Sequence, residues 1–254
     1  FSVELAKYLK YGEDNVLAVR VDSRENLNIP PFGYAIDYMT FGGMYREVYV
    51  QVRNKTHLAD VFVKPQIHPL QVTTEITVQN ISDGITLQQE IRKKGEGAYS
   101  PLGQKPVKQT NVQIVFPVQE ICLWEPENPH LYEIRTSLWK NGKMIDARVD
   151  ITGFREAGFR KDGFYLNGKK LRLRGLNRHQ SYPYVGYAAP ASMQIFDADI
   201  LKKELGVNAV RTSHYPQSQD FIRRCDEIGL LVFTEFPGWQ HIGDEEWKRQ
   251  AVQN

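Results

Sequence analysis

Three short polar clusters carry most of the chemistry that this sequence can offer: Asn177-Arg178-His179, Arg211 with His214-Tyr215, and Glu235 followed by Trp239 and His241. Imidazoles, a guanidinium, an amide and a carboxylate exchange hydrogen bonds with hydroxyl-rich ligands, hold metals or move protons. A single cluster of this kind would be read as a capped strand end or a satisfied surface histidine. Three in succession point to one shared functional surface. Three histidines could instead hold zinc, as in metal-dependent amidohydrolases, but that chemistry wants His-x-His on the first strand, and Asn177-Arg178-His179 does not supply it. No Gly-x-Ser-x-Gly elbow and no Walker loop occurs, so serine-hydrolase and nucleotide readings have no starting point.

The elements around the clusters give them a common address. A hairpin through Asn167-Gly168 is followed by a strand over 171–177, a polar aromatic loop, and a helix over 192–205 with Ser192 as its N-cap and Gly206 as its stop. A strand over 207–213, a helix over 219–228 capped by Ser218 and stopped by Gly229, and a strand over 230–235 come next. A last helix is capped by Asp244. Strand–helix–strand–helix–strand is the opening of a parallel α/β unit. In a (β/α)8 TIM barrel all three clusters would share the C-terminal rim, where such barrels place their active sites. Three parallel strands alone also leave an open edge on the 230–235 side.

Upstream the pattern is β. Short alternating strands are expected over 58–63, 71–79, 84–91, 109–116, 131–139 and 143–152, separated by turn signals such as Ser82-Asp83-Gly84 and Asn141-Gly142. About seven strands in about 100 residues suit an immunoglobulin-like sandwich. Before it, 16–21 and 45–52 read as strands, joined by a Pro- and Gly-containing loop from Asp22 to Gly43. A loop of that length is unusual unless it has a function.

Bulk properties narrow the class. The 254 residues exceed one typical domain, and Lys plus Arg (32) nearly balances Asp plus Glu (30). Such a balance argues against nucleic acid as partner, and no apolar run approaches membrane-spanning length. Cys122 and Cys225 form no framework and no Cys-x-x-Cys spacing. Few, unpaired cysteines lean toward a bacterial cytoplasm. The N-terminus carries no signal peptide and no Met, so the chain is expected to begin inside a domain.

The run Asn208-Ala209-Val210-Arg211-Thr212-Ser213-His214-Tyr215-Pro216, continuing through Phe221-Ile222, Asp226 and Gly229 to Leu230-Leu231-Val232-Phe233, resembles a signature of glycoside hydrolase family 2, the β-galactosidase and β-glucuronidase type. Gly175-Leu176-Asn177-Arg178-His179 is similar to that family's first barrel strand. Trp124-Glu125-Pro126 with Asn128-Pro129-His130-Leu131-Tyr132 is similar to its immunoglobulin-like domain, and Gly153-Phe154-Arg155 to the linker that follows. Asp37 through Gly42-Gly43-Met44-Tyr45-Arg46-Glu47-Val48 resembles the end of its N-terminal jelly-roll. The resemblance thus implies a mainly β plus α/β chain, truncated at both ends: 1–55 as the C-terminal part of a jelly-roll sugar-binding domain, 56–155 as an immunoglobulin-like β-sandwich, and 156–254 as the first strands and helices of a TIM barrel.

By the same resemblance, Asp37 reaches from the jelly-roll loop into a sugar pocket, and a solvated loop acid is the other account of it. His179 and His214 would line the subsite of the non-reducing sugar, with Asn177 and Arg211 buttressing the wall and Trp239 as a stacking platform. A structural ion pair for Arg211 and a core position for Trp239 stay open. The implied activity is retaining hydrolysis of terminal β-D-galactosides. β-Glucuronidase and a non-catalytic carbohydrate-binding or interaction module are the alternatives. Magnesium or sodium would belong to the full-length enzyme; no carboxylate adjoins His241, so no metal site is carried over and no cofactor is expected in this chain. Retention needs an acid/base and a nucleophile about 5–5.5 Å apart. The family's acid/base is the glutamate of an Asn-Glu pair, and no Asn-Glu dipeptide occurs in the sequence. Both carboxylates are therefore expected outside this chain, which by itself would be inactive. A homo-oligomer stays open.

Overall fold

The computed structural model describes residues 2–32, 36–238 and 240–253. Nine strands build the sandwich: β1 (His57–Ile67), β2 (Leu70–Gln79), β3 (Ile85–Lys93), β4 (Ser100–Pro106), β5 (Asn111–Pro117), β6 (Trp124–Glu125), β7 (Asn128–Pro129), β8 (Tyr132–Lys140) and β9 (Lys143–Thr152). One sheet has the order β1-β2-β5 and the facing sheet β4-β3-β8-β9, all antiparallel, with β6-β7 as a small ribbon. Alternation sends Ile85, Leu87, Ile134 and Leu138 inward from one sheet, against Val72, Ile76, Val78 and Ile114 of the other. Gln89, fully buried, spans the sheets by donating to the hydroxyls of Thr74 (2.8 Å) and Thr136 (3.2 Å). The Asn141-Gly142 turn has φ of 49° and 72°, the paired positive values of a tight hairpin.

The expected strands of this domain form, with shifted ends, and β4 is an addition. Its Ser-Pro-Leu-Gly-Gln-Lys-Pro sequence shows no alternation. It survives as an edge strand, where prolines need not donate to a ladder. Gly103 is required there, since a Cβ at that position would sit 2.3 Å from the Phe116 ring.

The N-terminal stretch departs from expectation. No strand ladder forms among the described residues up to 55, so 16–21 and 45–52 are not strands here. A strand exists through a hydrogen-bonded neighbour, and neither stretch has one within the described residues. Val16, Val50 and Val52 are correspondingly exposed.

After the sandwich comes an antiparallel trio, β10 (Ala157–Arg160), β11 (Gly163–Leu166) and β12 (Lys169–Leu171), turning through Asn167-Gly168. The single strand expected over 171–177 is split: β12 ends at Leu171 and a separate parallel strand β13 (Gly175–Arg178) begins beyond Arg174. β13, β14 (Ala209–Thr212) and β15 (Leu231–Phe233) lie parallel in that order. Among the described residues β15 pairs only with β14, leaving the expected open edge. α1 (Ala191–Asp199) starts from Pro190, not Ser192, and no side chain caps it. Proline suits that place, since its missing N–H is one that a helix start leaves unpaired anyway. The helix continues as a wider π turn (Ile200–Glu204) before α2 (Gln219–Ile228), capped as expected by Ser218, and α3 (Glu245–Gln253). No helix among the described residues is long and apolar enough to cross a membrane.

Register and the two-residue period sort the parallel strands into layers. Gly175, Ala209 and Leu231 are level, and Ala209 and Leu231 rest on Phe164 and Leu166 of the trio and on Trp124 and Leu131 of the sandwich. Asn177, Arg211 and Phe233 form the next layer on the same face. Val210 and Val232 point the other way, into the helix layer of Ala198, Leu201, Phe221 and Cys225. Trp124 fixes the parallel unit to the sandwich. It is buried, donates from Nε1 to the Asp226 carbonyl (2.8 Å), and lies under the Arg155 guanidinium. Beside it Lys202 Nζ donates to the carbonyls of Pro126 and Gly229, each at 2.9 Å.

Candidate functional site

Above the Asn177–Arg211–Phe233 layer, the ends of the three strands bring their polar residues together. Glu235 sits between two cations or donors: Arg211 Nε donates to its Oε1, and His214 Nδ1 lies 2.9 Å from its Oε2. Nδ1 is therefore the protonated nitrogen facing the carboxylate. Both Glu235 oxygens are engaged, which fixes the His214 ring. The Ser213–His214 peptide is cis, and His214 and Tyr215 are both buried.

His179 lies edge-on to His214, with ring centroids 5.3 Å apart, and its Nδ1 is 3.4 Å from the Tyr215 hydroxyl. Although the residue keeps an exposed edge, partial desolvation of the ring by its packed neighbours, followed by the neighbouring His214 and then Arg211, lowers its pKa below the ordinary imidazole value; Asp37 and Glu235 pull the other way. The ring is consequently neutral at neutral pH, able to donate from one nitrogen and accept at the other.

The long loop of the N-terminal stretch closes the site from the side. The Tyr38 ring packs against His179, His214 and Tyr215, with centroids 5.7, 5.6 and 5.4 Å away. Burial, then the charges of Tyr215, Asp37 and Glu235, push the Tyr38 phenol up to about 12. Asp37 is exposed beside it, and its charge acts on both Tyr38 and His179. Asp37, which the sequence places over a hundred residues from the histidines, thus belongs to the same constellation. Asn177 is exposed on the inner face, level with Arg211. Trp239 lies outside the described residues. The His241 ring packs at 5.7 Å and 89° on the Trp247 ring. Among the described residues no group of three or more His, Cys, Asp or Glu side chains could hold a metal ion.

Several residues that the sequence reading passed over support this arrangement. Arg178, between two site candidates, points away from them into the helix layer. Its guanidinium donates to Asp197 (2.9 and 2.7 Å), Gln217 (2.6 Å) and Gln194 (2.8 Å), and lies 4.0 Å over the Phe221 ring. Gln217 in turn donates to the Arg178 carbonyl, just before His179 (2.5 Å). The two-residue alternation of strands could have assigned Arg178 this role from sequence, because Asn177 and His179 share the opposite face. Tyr38 and Tyr187 carry no such periodic signal, since they lie on loops.

The site offers one carboxylate held by an arginine and a histidine, a second that is exposed, a neutral imidazole and phenolic hydroxyls. Such a set suits a ligand rich in hydroxyls. Two protein-family models match this chain: "Glycosyl hydrolases family 2" over residues 56–155 and "Glycosyl hydrolases family 2, TIM barrel domain" over 158–252. The chain belongs to glycosyl hydrolase family 2. Its relatives within that family include a β-galactosidase of Thermoanaerobacter pseudethanolicus, 46% identical over all of this chain and 35% of the relative. A β-glucuronidase of Bacteroides fragilis is 31% identical over 93% of this chain and 36% of its own. Among solved structures, β-glucuronidase 2 of Bacteroides uniformis, covalently bound to cyclophellitol-6-carboxylate aziridine, matches with a TM-score of 0.80 at 27% identity, covering 97% of this chain and 32% of that one. The chain spans about a third of the length of these family 2 relatives. They agree with the sandwich followed by the start of a TIM barrel.

Proposed function

We propose that this chain is part of a retaining exo-β-glycosidase acting on terminal β-D-galactosides, and that Asp37, Asn177, His179, Arg211, His214 and Trp239 line the subsite of the non-reducing sugar. One observation carries this reading: the ends of three parallel strands and a loop from a separate part of the chain converge on a single rim, bringing Asp37, Tyr38, His179 and His214 into one constellation. A pyranose presents hydroxyls around its edge, and hydrogen bonds to them that strengthen in the transition state lower the barrier. In this reading residues 1–55 complete a jelly-roll whose long loop delivers Asp37. The immunoglobulin-like domain, 56–155, holds the barrel start, 156–254, through Trp124.

The carboxylates that break the bond would come from outside these residues. Glu235 is committed to Arg211 and His214, and no Asn-Glu pair occurs. The chain by itself should therefore hydrolyse nitrophenyl β-galactoside no faster than buffer, and turnover abolished by Glu235→Gln would contradict this. The choice of galactoside is supported by two relatives named β-galactosidase at 46% identity, against 30–32% for those named β-glucuronidase. Structural likeness to several β-glucuronidases favours the alternative sugar, but at only 25–29% identity. The deciding assay uses the full-length enzyme containing this chain, with nitrophenyl β-D-galactoside and β-D-glucuronide side by side. Proton NMR of the first-released sugar reads the anomer. Faster cleavage of the galactoside with β-galactose released first is expected; preference for the glucuronide, or release of the α anomer, would refute the reading.

A further inference from the structure

Among its described residues the loop that carries Asp37 forms no strand ladder, so side chains help to seat it. Trp247 Nε1 donates to the Phe32 carbonyl at 3.0 Å, and Arg46 donates to Gln180 Oε1 at 3.0 Å, anchoring the loop before and after the aspartate. Between them stands Tyr187, on the rim loop that joins β13 to α1. Its hydroxyl donates to the carbonyl of Met39, two residues beyond Asp37, at 2.5 Å. Its ring meets Phe41 edge-on at 4.9 Å and Tyr45 at 5.4 Å on the loop side. On the other side it packs at 5.1 Å on Tyr215, whose hydroxyl faces His179.

We propose that Tyr187 is a positioning residue for sugar binding, seating the Asp37 loop against the histidine wall so that Asp37, His179 and His214 act on one ligand. The proposal rests on the reading that Asp37 touches the sugar. Tyr187 is 6% exposed, and burial pushes its phenol well above the ordinary range. The hydroxyl is therefore a permanent donor, and the bond to Met39 does not switch with pH. Gly186 marks how closely loop and rim approach, since a Cβ there would lie 2.9 Å from the Phe41 ring. Aromatic pairs of this kind add to burial and favour one relative orientation of the two loops.

The test is a double-mutant cycle in the full-length enzyme, with Tyr187→Phe, Asp37→Asn and their combination, reading kcat and KM on nitrophenyl β-galactoside. Tyr187→Phe keeps the ring and removes one neutral hydrogen bond, so a loss in kcat/KM of about 3- to 10-fold is expected. If Tyr187 acts through Asp37, the double variant is no worse than Asp37→Asn alone. A multiplicative loss in the double variant, or no loss for Tyr187→Phe, overturns the proposal. Should Asp37→Asn itself leave kcat/KM unchanged, the sugar contact of Asp37 fails instead. The latch is then judged by trypsin cleavage after Arg46, mapped by mass: faster cleavage in Tyr187→Phe supports it, and an unchanged rate overturns it.

Discussion

Replacing Gly229 by alanine should cost far more than replacing Gly206, although both glycines end helices in the left-handed region, with φ of 76° and 64°. At Gly206 a Cβ would meet nothing within 4 Å. Only the backbone penalty of a left-handed alanine applies there, about 1–2 kcal/mol. At Gly229 a Cβ would lie 2.1 Å from the Pro126 carbonyl oxygen, 2.6 Å from its carbon and 2.8 Å from its Cα. These are backbone atoms of the sandwich, so no side chain can swing aside. The two domains must separate locally, which strains the Lys202 bridge between the Pro126 and Gly229 carbonyls. A hydrogen bond from a charged donor is worth about 1.5–3 kcal/mol. Losing one in addition to the backbone term brings Gly229→Ala to about 3–5 kcal/mol. Urea denaturation followed by tryptophan fluorescence measures both variants against the parent, with stability read from the midpoint at constant m. Equal costs for the two glycines would mean that the sandwich and the parallel unit do not meet as tightly as the Pro126 contact implies.

Arg178→Met should destabilise by about 3–5 kcal/mol, because it leaves Asp197, Gln194 and Gln217 without their shared donor in a buried setting; a loss under 1 kcal/mol in the same denaturation assay would show that the network is dispensable. The lowered pKa of His179 gives a pH dependence with a definite sign. The folded state binds its proton less readily than the unfolded chain, so this contribution is present above the unfolded value, about 6.5, and is lost as pH falls below it. Parent urea midpoints should accordingly fall more steeply on acidification than those of His179→Gln, and a parent profile that is flatter than the variant's would contradict the neutral imidazole.

The division between what sequence and tertiary structure determine follows the range of the interactions. Alternating apolar residues in 71–79 and 131–139, the Asn-Gly turns, and the Ser218 and Gly229 helix ends are local signals, set by backbone geometry over a few residues. They were sufficient to place the sandwich, the parallel strands and the rim. The polar clusters at strand ends were legible for the same reason: a strand's period decides which side chains share its inner face. Local signals misled where pairing decides. The stretches 16–21 and 45–52 have strand-like residues, but a ladder needs a partner that those residues cannot specify. β4 lacks strand-like residues, yet forms because β3 offers an edge and Phe116 covers Gly103. Helix α1 took Pro190 in place of Ser192 as its first boundary, within the one-turn ambiguity of local propensity. How the site residues connect was decided by folding alone. Glu235 joins Arg211 to His214, and Tyr38 and Tyr187 bring a distant loop onto the histidines, through contacts between segments whose spacing in the sequence carries no period. Such contacts depend on the packing of whole domains, which only the tertiary structure supplies.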